Sequence, residues 1–136
     1  MQFSQKNFSF VPILLKELSY EECCEVAKVL AEFLNENICL LVSSDFTHYG
    51  ASYGFLPDRK IGDIDREVIE SIIQLNSKHV YELAGKSTIC GYYGLTIISE
   101  IAKIKKMKAK PIGYYTSGDI VNNGGNCVGY GGAVFG

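Results

Sequence analysis

Ile38-Cys-Leu-Leu-Val42 is a continuous apolar run between an amphipathic helix pattern and a polar loop, and no other feature narrows the fold so far. The run is too short for a buried helix and has no polar face for a half-solvated sheet. It predicts a central parallel strand covered on both sides. Asn7–Leu15, with Phe8, Phe10, Val11, Ile13, Leu14 and Leu15, reads as a second buried strand. Between the two, Ser19 and Glu22 fit a capping box. The helix it opens carries apolar residues at Cys23, Val26, Ala27, Leu30, Phe33 and Leu34, until Asn35–Asn37 breaks the spacing.

After the run, Ser43–Gly62 reads as a long loop, a length that compact domains reserve for function or mobility. A helix starting at Asp63 or Asp65 follows, with Ile64, Val68, Ile69, Ile72, Ile73 and Leu75 on its buried side. A short helix is predicted over Ser77–Leu83. Thr88–Gly94 is a glycine-punctuated connection into a third helix, through Leu95, Ile97, Ile98, Ile101 and Ala102 to about Met107. Pro111–Thr116 and Asn126–Phe135 read as strands. Gly129, Gly131 and Gly132 in the second imply close backbone packing at a sheet; with no helix after them they are not a dinucleotide fingerprint. Strands alternating with helices define an α/β class with a mostly parallel central sheet, and 136 residues suit one domain. Such sheets bind ligands at the carboxyl ends of their strands, which is where Ser43–Gly62 leaves Ile38–Val42.

Composition excludes several classes. A chain that is 47% hydrophobic with a net charge of −2 is not a disordered one. No run reaches the ~18 apolar residues of a membrane helix. Phe8–Leu15 contains Pro12 and leads into Lys16-Glu17, so it reads as structure and not as a secretion signal; the expected compartment is the cytosol. The five cysteines, at 23, 24, 39, 90 and 127, are odd in number and irregular in spacing. They read as reduced thiols, with Cys23, Cys24 and Cys39 in core contexts. Lysines 103, 105, 106, 108 and 110 close a predicted helix without interleaved aromatics. They read as a solvated helix end that complements the dipole, and no nucleic-acid or membrane partner is expected.

Two segments could carry chemistry. Ser43-Ser-Asp-Phe-Thr-His-Tyr-Gly50 places hydroxyls, a carboxylate and an imidazole at a strand end. His48 there is a general base, a metal ligand or a hydrogen-bonded structural residue, and Asp45 is placed to orient it. A triad with Ser43 or Ser44 is not expected, since neighbours at a strand end point in different directions. Ser87-Thr-Ile-Cys-Gly-Tyr-Tyr-Gly94 puts Cys90 at a helix entrance, where the positive dipole end favours a thiolate; the other reading is a buried, inert cysteine. His79, on a polar helix, reads as a surface residue.

At these segments the chain resembles the Memo-like family, named in prokaryotes AmmeMemoRadiSam system protein B. The resemblance rests on Ser43-Ser-Asp-Phe-Thr-His-Tyr49, Thr88-Ile-Cys-Gly91, and Tyr115-Thr-Ser-Gly-Asp119 with Val128-Gly-Tyr130, in that order, and covers nearly the whole chain from Phe10-Val-Pro-Ile-Leu14. It implies a three-layer α/β/α fold similar to class III extradiol dioxygenases, with a pocket of histidines and one cysteine that can bind iron, copper or zinc. Asp45, His48 and Cys90 are the matching site residues, with His48 and Cys90 as the metal ligands.

The resemblance also implies a departure. Family members carry roughly another half-domain upstream, with two further pocket histidines, so residues 1–136 are expected to form a single Memo-like domain lacking its N-terminal half. Such a chain would self-associate or take up an N-terminal half-domain partner. Two function classes follow: a metal-dependent redox or dioxygenase-related enzyme, or a non-enzymatic protein whose pocket holds a peptide or small molecule. A third reading is a Cys90–His48 nucleophilic hydrolase. If both side chains serve one metal, the Cys90 Sγ and a His48 ring nitrogen should lie about 3.5–6 Å apart, despite 42 residues of separation.

Overall fold

The computed structural model describes residues 7–121 and 125–136. Helix α1 (Tyr20–Phe33) is followed by strand β1 (His48–Gly50) and a 3-10 turn at Ala51–Tyr53. Helices α2 (Ile61–Ile73), α3 (Ser77–Ala84) and α4 (Tyr92–Ile104) come next. Strand β2 (Ala109–Thr116), the one-turn helix α5 (Ser117–Ile120) and strand β3 (Asn126–Phe135) complete the order.

The α1 capping box forms as the sequence predicts: Ser19 Oγ accepts from the Glu22 N–H, and the Glu22 carboxylate accepts from the Ser19 N–H at 2.7 Å. Cys23, Ala27 and Ala31 recur every four residues on the buried face, and their small size lets α1 lie close on Ile97 and Ile101 of α4. The Asn35 side chain then accepts from the Asn37 N–H and ends the helix. α2 begins at Ile61, earlier than the sequence suggests, and buries Ile61, Asp65, Val68, Ser71 and Ile72. Asp65 is therefore an inward residue and not a cap. α4 stops at Ile104: Lys106 takes φ of 55°, and the N–H groups of Lys106 and Met107 return to the carbonyls of Lys103 and Ala102. The five lysines of the basic run are exposed around this end.

The sheet departs from expectation. Among the described residues it has three strands in the order β1-β3-β2, and both pairings are antiparallel. The class is mixed α/β; a mostly parallel sheet is not what these residues form. Neither Asn7–Leu15 nor Ile38–Val42 is a strand. A strand exists only through a neighbour, and these segments have none among the described residues. Phe10, Leu14 and Leu41 are 69%, 93% and 66% exposed. Leu15 and Leu40 still pack against the α1–α4 cluster. From 38 to 44, half-buried Leu40, Val42 and Ser44 alternate with exposed Cys39, Leu41 and Ser43, which is the two-residue period of a strand without its ladder. Cys39, assigned to the core from sequence, is exposed with them.

β3 lies at the centre of the sheet, and its glycines are the reason it can. A Cβ at Gly129 would collide with Asp65 Oδ2 and stand 3.1 Å from Phe46 Cβ; one at Gly131 would press on the Phe46 ring at 2.8 Å. Phe46 thereby enters a core with Val68, Ile72, Val80, Ala84 and Ile89. α2 packs on β2 and β3, α3 joins α2 to α4, and α1 covers α4. Phe46 and Ile89, both nearly fully buried, fix in this core the two segments that carry the candidate site.

Candidate metal centre

His48 opens β1, opposite Val128 of β3. The residue before it, Thr47, is fully buried, and its N–H and hydroxyl both donate to Asp65 Oδ1, at 3.1 and 2.6 Å. The other carboxylate oxygen, Oδ2, accepts from the Tyr114 hydroxyl at 2.7 Å. Asp65 thus joins the His48 segment to α2 and β2 at once. Burial, the Asp65 hydrogen bond and the Asp65 charge together push the Tyr114 hydroxyl pKa up. The main-chain groups of His48 turn away from β3. Its N–H donates to Thr88 Oγ1 and its carbonyl accepts from the same hydroxyl, both at 2.7 Å.

Cys90 stands on the turn before α4, whose N-cap is Gly91. Its neighbour Ile89 is 2% exposed and anchors the turn, while Cys90 itself is exposed. Gly91 admits the other segment at close range. Its N–H donates to Ser44 Oγ at 3.0 Å, and a Cβ there would collide with the Ser44 side chain and lie 2.9 Å from the Ser43 carbonyl. Ser44 Oγ donates in turn to the Asp45 carbonyl at 2.7 Å.

These anchors bring Asp45, His48 and Cys90 together. One donor atom from each, a carboxylate oxygen, a ring nitrogen and Sγ, all lie within 4.8 Å of one another, which agrees with the separation foreseen for His48 and Cys90. The His48 ring lies against Tyr53, with centroids 5.1 Å apart. Its Nε2 is buried and has no hydrogen-bond partner among the described residues; the Asp45 carboxylate faces it at 3.5 Å without hydrogen-bond geometry. A buried, orphaned imidazole nitrogen beside a thiol and a carboxylate fits a metal of the zinc, iron or copper class. Donors on a tetrahedral ion stand roughly 3.5 Å apart, so modest side-chain rotation would close the set. A serine triad is not formed, because the Ser44 hydroxyl is engaged with Asp45 and Gly91 main chain. His79 is exposed on α3, bonded to Ser71 Oγ at 3.0 Å, and stands outside the cluster.

The structural roles of Asp65, Thr88 and Ser44 are not apparent from the sequence. Thr88 and Ser44 stand inside the two segments singled out there, and their hydroxyls are the signal that could have been weighed. Asp65 carries no such signal, because an aspartate near a helix start reads as a cap.

Comparison with known proteins agrees with the motif resemblance. The family described as Memo-like protein matches residues 1–134. A MEMO1 family protein of Archaeoglobus fulgidus is 31% identical over 140 residues, covering 99% of this chain and 51% of its own length. One from Nitrosopumilus maritimus is 30% identical over 137 residues, covering 98% and 47%. One from Methanosarcina mazei is 28% identical over 132 residues, covering 93% and 47%. The chain spans about half the length of the curated relatives it matches.

Proposed function

Because the chain belongs to the Memo-like family, we propose that it contributes a metal-binding centre of redox or dioxygenase-related type, with His48 and Cys90 as ligands and Asp45 as a third donor or as the carboxylate that orients the imidazole. The observation that carries this reading is the buried, unpartnered His48 Nε2 facing a carboxylate and a thiol. Imidazole and thiolate together suit iron, copper or zinc. A metal bound there would supply Lewis acidity or redox chemistry. The chain's own part is to present three donors from two anchored loops and leave the exposed Cys90 side open to ligand.

The relatives' greater length supports a second part of the proposal. Their unmatched half, on the same polypeptide or a separate one, would supply further ligands and cover residues 8–15 and 38–42, which would then pair as parallel strands of a three-layer α/β/α sheet. No helix among the described residues is long and apolar enough to cross a membrane. The free thiols Cys39 and Cys90, both exposed, support a reducing compartment such as the cytosol.

Calorimetric titration of the intact protein with zinc or cobalt(II) tests this. His48→Ala and Cys90→Ser should each weaken binding at least tenfold. Stoichiometric metal separates the reading from a metal-free pocket for a peptide or small molecule. Metal affinity that neither substitution changes would overturn it.

A further inference from the structure

Thr88 and Ser44 make the only side-chain-to-main-chain bonds that directly join the His48 and Cys90 segments among the described residues. Each acts two-sidedly. The Thr88 hydroxyl accepts from the His48 N–H and donates to the His48 carbonyl, filling the place of a neighbouring strand, and Thr88 is two residues from Cys90. The Ser44 hydroxyl accepts from the N–H of Gly91, next to Cys90, and donates to the carbonyl of Asp45. Each hydroxyl in such an arrangement commits its single donor and one of its two acceptor lone pairs, and has little freedom left. The two bridges cross in sense: Thr88 reaches from the cysteine segment to the histidine segment, and Ser44 reaches back. All three ligand candidates, Asp45, His48 and Cys90, stand on the two segments that these bridges join.

We propose that Thr88 and Ser44 are positioning residues that hold the His48 imidazole and the Cys90 thiol at metal-binding separation before any metal arrives. The inference rests on the metal reading above for its consequence but not for its geometry. Ligand orientation by such indirect partners typically changes metal affinity 10–100-fold. Thr88→Val keeps the shape and removes the hydroxyl; Thr88→Ser keeps the hydroxyl and removes the methyl.

The test uses the intact protein with cobalt(II) as the spectroscopic probe, and NMR of the metal-free form. Thr88→Val should lower cobalt affinity at least tenfold and weaken the thiolate-to-cobalt charge-transfer band relative to the ligand-field bands, since the metal would keep one ligand and lose the other. In the metal-free protein the nuclear Overhauser contact between the His48 ring and the Cys90 β-protons should disappear. Thr88→Ser should restore all three. Ser44→Ala, which leaves Thr88 intact, should act in the same direction, and it carries the test if Thr88→Val does not fold. If cobalt fails to bind any variant while the Overhauser contact follows the hydroxyl, the metal reading fails and the positioning role stands. If the contact and the charge-transfer band survive loss of the hydroxyl, or if Thr88→Ser does not restore them, the positioning role is overturned.

Discussion

The Asp65 carboxylate accepts both the N–H and the hydroxyl of Thr47, the residue immediately before His48. Two donors from one residue leave that stretch of main chain a single orientation, and the Tyr114 hydroxyl on the other oxygen fixes the carboxylate itself. Asp65→Asn keeps the volume but turns a pure acceptor into a group with donors, facing hydroxyls and an N–H that need acceptors. Hydrogen bonds to charged groups contribute about 1.5–3 kcal/mol each, and an unsatisfied buried group costs as much again. The variant should lose about 2–4 kcal/mol in urea unfolding. A loss below about 0.5 kcal/mol would show that Asp65 does not organise this segment.

Gly129→Ala should be nearly as damaging. The added Cβ would collide with Asp65 Oδ2 and press on Phe46, both in contact with buried neighbours that cannot retreat. Overpacking of this kind costs about 1–3 kcal/mol, read as a lower unfolding midpoint. Gly113→Ala, where the Cβ would meet nothing within 4 Å, is the control and should stay within about 0.5 kcal/mol.

The cysteines should separate by reactivity. Burial, with the charges of Cys24 and Glu22 nearby, pushes the Cys23 thiol up to about 11. Alkylation near neutral pH, followed by mass spectrometry, should modify exposed Cys39 and Cys90 first and Cys23 last. The same shift sets a pH dependence. An unfolded thiol ionises near 9, the folded one near 11, so the Cys23 contribution to stability is complete below about pH 9. It is lost as pH rises toward 11, at about 1.4 kcal/mol per unit. Cys23→Ala should flatten that part of the profile.

Exposed apolar side chains at Phe10, Leu14 and Leu41 predict association. The chain should self-associate at high concentration in light scattering, or do so until a half-domain partner is added. Leu14→Lys with Leu41→Lys should raise the monomer fraction while changing the unfolding free energy by no more than about 0.5 kcal/mol per site. Monomeric behaviour of the unsubstituted chain at millimolar concentration would contradict this.

What the sequence made legible follows from how local each signal is. α1 was readable because its capping box and four-residue spacing lie within the helix itself. The antiparallel glycine-rich strand was readable as a strand, though not in its pairing, because register is a property of two segments. Ile38–Val42 carried a strand's composition and carries a strand's alternation of exposure, yet forms no ladder among the described residues, since pairing, like register, is a property of two segments and not of one. The approach of His48 and Cys90 was legible through the family motifs. The hydroxyls that hold them were not, because Thr88 and Ser44 act across 40 and 47 residues through main-chain atoms that every sequence shares.

The antiparallel sheet discourages growth at both margins. On the β1 side, the outward main-chain groups of His48 are taken by Thr88, and those of Gly50 by Phe55, whose N–H and carbonyl both face it. On the β2 side, Pro111 offers no N–H and Lys110 adds a charge, two devices that discourage a further strand from docking. Simple edge addition of a further strand is therefore disfavoured. The uncovered apolar side chains Phe10, Leu14 and Leu41 stand instead on Asn7–Leu15 and Ile38–Val42, the two extended segments without a ladder among the described residues. A partner that bound through these segments would at the same time shield them from unspecific association.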